Sequence, residues 1–200
     1  MKPEIEVKFL NVDFQVAREK LQLLGAKCTH PMRLMRRAVI DYPDRRLQKD
    51  HHGWVRVRDE GDKITLTYKT SVEGSFGGAT EIELEVSDYL KAINLFEATG
   101  MVVYSRQESK RETWLLEDVE IVLDEWPWLN PYIEIEAPAE DIVRDVAEKL
   151  GFRWNNAVFG SVTSAYRAQY PAISKGRHIS TIPEITFSSP RPAWFTEADK

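Results

Sequence analysis

The chain opens on Glu4-Ile5-Glu6-Val7-Lys8, where charged residues alternate with β-branched ones. Side chains of a strand point to opposite faces with a period of two. Glu4, Glu6 and Lys8 therefore share one face, and Ile5, Val7 and Phe9 share the other. The pattern returns along the chain with both signs of charge, in Trp54-Val-Arg56-Val-Arg58, Glu81-Ile-Glu83-Leu-Glu85 and Tyr132-Ile-Glu134-Ile-Glu136. Strand after strand that is charged on one side and apolar on the other constrains the fold more than any single motif.

The helices decide where the charged sides point. Apolar spacing predicts a helix over 14–24, started by Asn11 or Asp13 and stopped by Gly25. A second follows Ser87 and closes at Gly100, a third carries Ile142, Val143, Val146, Ala147 and Leu150, and a fourth covers 161–170. Each needs an apolar surface to cover. If the apolar strand faces filled the inside of a barrel, the helices would meet only charge. Helices outside, over Ile, Val and Leu, turn the charge inward. The expected fold is α+β: an eight-stranded antiparallel β-barrel, a tunnel with a charged interior and amphipathic helices packed on the outside.

The remaining strands read as 33–42, 101–116 and 119–126, with Asp59-Glu60-Gly61-Asp62 as a hairpin turn. Segments 45–52 and 71–78 read as loops. His51 and His52 lie in the first with no partner ligand in register, which favours plain solvent exposure. At 200 residues the chain suits one domain. It divides into a body of 1–171 and a polar, partly disordered tail of 172–200, whose end Trp194 and Phe195 could pin.

A net charge of −5 gives no general reason to expect nucleic acid. The lone cysteine, Cys28, excludes an internal disulfide, lacks zinc spacing and reads as a small buried or half-buried hydrophobe. No run of ~18 apolar residues spans a membrane. The first strand begins at once, leaving no room for a signal peptide, so a cytoplasmic protein is expected. The sequence does not decide between a monomer and a homodimer.

A charged interior is costly unless its groups are paired, hydrated or met by a ligand. The basic set is Lys8, Arg56, Arg58, Lys69 and Arg111. The acidic set is Glu4, Glu6, Glu81, Glu83, Asp124, Glu134 and Glu136. Together they suit a polyphosphate with a divalent cation. Guanidinium forks match phosphate oxygens, lysine adds point charge, and carboxylates hold Mg²⁺ or Mn²⁺. The bland alternative for any one of these residues is an ion pair inside the barrel.

In this order the residues resemble the CYTH family, the triphosphate tunnel metalloenzymes, over about residues 1–170. Glu4-Ile-Glu-Val-Lys8 is similar to the family's opening signature, Arg56-Val-Arg58 to its R-x-R strand, and Lys69 to its next basic position. Glu81-Ile-Glu83-Leu-Glu85 resembles its central acidic strand, with Arg111, Asp124 and Glu134-Ile-Glu136 completing the series. The resemblance implies a divalent-metal-dependent enzyme, with Mg²⁺ or Mn²⁺ as cofactor and a small-molecule triphosphate as substrate. It implies metal ligation by Glu4, Glu6, Asp124, Glu134 and Glu136, with Glu81 and Glu83 as further candidates. It gives triphosphate binding to Lys8, Arg56, Arg58, Lys69 and Arg111, and catalytic roles to Glu4, Glu6, Lys8, Asp124 and Glu134. Members divide among inorganic triphosphatases, thiamine triphosphatases and class IV adenylyl cyclases. A triphosphatase is expected here, with the cyclase and a polyphosphate-binding module without turnover as alternatives. One departure stands out. The family often carries a basic residue two positions before the arginine matching Arg111, and that position is Ser109, with Lys110 in the wrong strand parity.

Overall fold

A computed structural model describes residues 5–70, 80–173 and 179–195. Glu4 and the Gly- and Ser-rich loop expected at 71–78 lie outside these residues. In chain order the elements begin with β1 (Ile5–Leu10), α1 (Phe14–Leu23), β2 (Lys27–Asp41), α2 (Arg46–His51), β3 (Gly53–Asp59), β4 (Ile64–Thr70) and β5 (Thr80–Val86). They continue with α3 (Tyr89–Ala98), β6 (Val102–Leu116), β7 (Val119–Glu125), β8 (Tyr132–Ala137), α4 (Glu140–Lys149), α5 (Val162–Gln169) and the short β9 (Glu184–Ile185).

Eight strands form one antiparallel sheet in the order β1-β8-β7-β6-β2-β3-β4-β5, and β9 adds to β6 in parallel. Among the described residues no ladder joins β5 back to β1. The sheet is nonetheless strongly curled. Lys69 on β4 acts electrostatically on Glu134 on β8, although β7, β6, β2 and β3 stand between their strands. Only a sheet wrapped around its charged side brings those groups into range. This is the α+β architecture expected, with α1, α3 and α4 on the outer side; α5, expected outside with them, packs instead against the inward-facing Tyr132 and Trp126.

The outer side carries two apolar clusters. Asp13 starts α1 by accepting from the amides of Gln15 and Val16, and α1 then buries Ala17 and Leu21. With Val143, Val146 and Ala147 of α4 these cover Val7, Phe9, Ile121, Leu123, Ile133 and Ile135. α3 starts at Asp88 rather than Ser87, because the aspartate accepts from the Lys91 amide. It sets Ala92 and Ile93 against Ala38, Ile40, Val55 and Val57.

Three local expectations are corrected. β2 begins at Lys27, earlier than 33, because the chain absorbs register shifts between Cys28 and His30 and between His30 and Arg33. Pro31, which cannot donate to a ladder, sits inside the second shift. The loop expected at 45–52 contains a short helix, α2. Asp41 at the end of β2 accepts from the amides of Leu47 and Gln48, offsetting two otherwise unpaired donors of that helix. Cys28 is exposed rather than buried, since it stands in the irregular opening of β2. His51 and His52 are exposed.

A third apolar cluster lies on the inner side. Leu10, Tyr132 and Trp126 share strand parity with Lys8, Glu134 and Asp124. They pack with Tyr166 of α5 and with Ile179, Ile182, Ile185 and Phe195. β9 pairs with β6 at Arg106 and Gln107, past the point where β7 leaves that edge at Lys110. The Ser105 hydroxyl donates to the Ile182 carbonyl at 2.6 Å. The described part of the polar C-terminal segment thus lines one end of the charged interior.

Candidate active site

The inner face is assembled row by row from strand register. Glu6 stands opposite Glu136 and Lys8 opposite Glu134. Arg111 stands opposite both Asp124 and Arg33. Gln107, Arg37, Arg58 and Thr65 form one row, and Arg56, Thr67 and Glu83 another. Trp54, Lys69 and Glu81 form a third. Lys110 points outward and pairs with Glu125 at 3.3 Å, as its parity requires.

The acidic part gathers on β1 and β8. Carboxylate oxygens of Glu6, Glu134 and Glu136 all lie within 4.8 Å of one another. Three carboxylates this close repel unless cations separate them, and all-oxygen donors suit a hard divalent ion. The residues therefore fit the cation that the sequence implies. Burial disfavours the Glu134 carboxylate, yet Lys8 and Arg111 overcome this and hold it down to about 2. Arg111 approaches Glu134 at 3.8 Å. Asp124 is not part of the trio. It is fully buried, held by Nε and Nη2 of Arg111 at 2.7 and 2.6 Å, and accepts from the Tyr132 hydroxyl at 3.0 Å.

Glu81 and Glu83 also stand apart from the trio. Glu81 pairs with Lys69. Glu83 lies 3.7 Å from Arg56 and accepts from Thr67 at 2.9 Å. Arg58 is held at 2.6 Å by buried Glu60, which Arg33 approaches at 3.6 Å. The pattern is that of a cationic wall facing a carboxylate trio.

Arg37 joins that wall unannounced by any motif. Its Nη2 donates to Ser109 Oγ at 3.1 Å, and its guanidinium lies 4.4 Å from the ring centroid of Trp126. Asp124, the carboxylate that acts on it, is already paired with Arg111, and the Nε atoms of Arg37 and Arg56 are buried without a hydrogen-bond partner. Burial, then Arg58, Arg56 and Arg111, push Arg37 down to about 9. Burial and Arg58 push Arg56 down to about 10. Clustered guanidiniums under such mutual repulsion are suited to a multivalent anion. The one signal for Arg37 in the sequence was parity: it shares a face of β2 with Arg33, but β2 has no clean alternation.

The CYTH domain family matches residues 2–162, and the chain belongs to that family. Members of this family act on triphosphates with a divalent metal. The PH1012 protein of Pyrococcus horikoshii is 27% identical, with a TM-score of 0.64 over 77% of this chain and 93% of its own. An adenylate cyclase candidate from Vibrio parahaemolyticus shares the fold with a TM-score of 0.71 at 12% identity, over 80% of this chain and 95% of its own. An adenylyl cyclase candidate from Hippeastrum, described as having dominant triphosphatase activity, shares it with a TM-score of 0.54 at 16% identity. It matches over 76% of this chain and 89% of its own. No curated protein sequence matches. Among the described residues no helix is long and apolar enough to cross a membrane.

Proposed function

We propose that this chain is a divalent-metal-dependent hydrolase of a triphosphate, bound on the charged inner face. The observation that carries this reading is the pair of under-compensated cations, Arg37 and Arg56, on the same face as the Glu6, Glu134 and Glu136 trio. A phosphate chain laid across the face would supply a counter-charge to Arg37 and strengthen that of Arg56, whose carboxylate partner, Glu83, stands 3.7 Å away. The trio, with Glu4 as the resemblance implies, would hold Mg²⁺ or Mn²⁺. When bound, that ion supplies charge neutralisation and polarises a phosphoryl oxygen.

The chain's own residues account for binding and orientation. Arg37, Arg56, Arg58, Lys69 and Arg111 would grip the non-bridging oxygens. Fixed cations around a transferring phosphoryl group stabilise developing charge without reorganising at the moment of reaction. A water attacks the terminal phosphorus, and the leaving diphosphate is held by the same arginines.

A second reading, an organic triphosphate such as thiamine triphosphate, is favoured by one residue. Trp114 donates its indole N–H to Glu112 in the outer core, and Trp126 is covered by Arg37. Trp54 sits on the inner face, across from Lys69, where an aromatic group attached to the phosphates could stack. A class IV adenylyl cyclase would need, in addition, polar groups that read the base and aim the ribose hydroxyl. Turnover of tripolyphosphate, thiamine triphosphate and ATP, compared with Mg²⁺ and with Mn²⁺, tests the proposal. Phosphate release from tripolyphosphate should exceed that from ATP and vanish in chelator. Cyclic AMP formed from ATP faster than phosphate from tripolyphosphate would overturn the hydrolase, and full turnover in chelator would overturn the metal.

A further inference from the structure

Lys8 belongs by sequence to the cations that would bind phosphate, but its surroundings give it different work. An ammonium group has three donors and no acceptor. Lys8 Nζ lies 3.0 Å from Glu6 Oε1, 2.9 Å from Glu134 Oε2 and 2.7 Å from the Gly160 carbonyl. All three donors are engaged, and the residue is 2% exposed. For a phosphate oxygen to reach the ammonium, a partner must leave. Two of the partners are carboxylates that would then lose their buried counter-charge.

The third partner ties Lys8 to a part of the chain outside the opening strand. Lys8 and Val158 exchange both backbone hydrogen bonds, at 2.9 and 2.8 Å, so an isolated bridge pins residue 158 to the edge of β1 away from β8. Gly160 then adopts φ +89, a conformation that side-chain-bearing residues rarely take. A Cβ there would also meet Ser164 Oγ at 3.0 Å. Glycine at 160 therefore lets the carbonyl aim at the ammonium as the chain turns into α5.

We propose that Lys8 is a positioning residue for the carboxylate trio rather than a phosphate ligand, and that Gly160 completes its mount. Lys8 fixes the distance between Glu6 and Glu134 across the β1–β8 ladder, and the Gly160 carbonyl fixes Lys8. This rests on the metal-and-triphosphate reading above and assigns its parts differently: the trio takes Lys8, and the triphosphate takes the arginines and Lys69. Hydrogen-bonded partners of metal-binding side chains orient them in this manner.

Charge-preserving substitution separates the two roles. A lysine that gives a phosphate only point charge keeps that charge as arginine, whereas a planar fork cannot reproduce three converging single contacts. Binding of Mn²⁺ alone is measured by electron paramagnetic resonance for wild type, Lys8→Arg and Gly160→Ala. Binding of tripolyphosphate is measured by calorimetry in chelator. Wild type should bind both; if it binds neither, the underlying site reading falls and this assignment with it. Lys8→Arg should weaken Mn²⁺ roughly ten- to a hundred-fold and leave tripolyphosphate within about two-fold. Gly160→Ala should weaken Mn²⁺ in the same direction by less, without touching any side chain of the site. Unchanged Mn²⁺ binding in Lys8→Arg overturns the assignment, and so does loss of tripolyphosphate binding in chelator. If Lys8→Arg does not fold, unchanged Mn²⁺ binding by Gly160→Ala overturns it equally.

Discussion

Arg37 Nη2 lies 3.1 Å from Ser109 Oγ, so a guanidinium from β2 fills the place where the family pattern puts a cation on β6. The serine is fully buried and accepts the contact, which makes the pair a substitution of one strand's charge by its neighbour's.

Arg37→Ala should weaken tripolyphosphate binding about ten- to a hundred-fold, the worth of a hydrogen bond to a charged group at ~1.5–3 kcal/mol. Adding Ser109→Lys to that variant should recover part of the loss, because it restores a cation from the strand that lacks one. Calorimetry on the three proteins checks this. Wild-type affinity in Arg37→Ala would remove Arg37 from the site.

Neighbouring arginines on β3 should respond in opposite ways. Arg58 balances Glu60, which is 4% exposed. Arg58→Ala should lower stability by about 3 kcal/mol, since Arg33 remains as a weaker partner. Arg56 is an under-compensated cation, held down to about 10 by burial and by Arg58. Its charged form is less favourable folded than unfolded, a penalty fully present below that value and relieved only as pH rises above it. Arg56→Gln should therefore leave stability in urea unchanged or higher at pH 7 while weakening tripolyphosphate. A loss equal to that of Arg58→Ala contradicts this.

Glu134 gives a pH dependence with a definite sign. Its folded value, about 2, is below the ordinary glutamate value of about 4.3. The stability it contributes is complete above the ordinary value and is lost as pH falls toward the folded one. The stability gap between wild type and Glu134→Gln should shrink when urea unfolding is repeated at pH 7, 4 and 2.5. A constant gap across that range would count against the Lys8 and Arg111 pairing.

The C-terminal segment should matter to both fold and site. Phe195 is buried in contact with the rings of Trp128, Tyr166, Tyr170 and Trp194. Phe195→Ala should cost about 3–5 kcal/mol. Its cluster includes Trp126, the ring under Arg37, so tripolyphosphate affinity should fall as well. Measuring unfolding and binding on the same variant checks both, and an unchanged melting temperature would show that the segment is not integral.

The alternation of charge with Ile, Val and Leu made the strands legible, and the amphipathic helices told which side faced in. Those are local periodicities, written into successive residues. The ordered series from Glu4 to Glu136 likewise carried the family and the composition of the site. Which cation answers which carboxylate was not legible, because that depends on register and on how far the sheet curls. Asp124 reads like Glu134 in sequence, yet Arg111 and Tyr132 enclose it while Glu134 joins the trio. Arg37 reads as one of a pair of strand arginines until β2 is set beside β6. Ile182, Ile185 and Phe195 look like stray apolar residues in a polar stretch until β9 docks past the end of β7. In each case residues far apart in sequence share a desolvated space, and their pairing is fixed by that space rather than by either neighbourhood. Sequence determined the alphabet of the interior; tertiary structure decided its pairings.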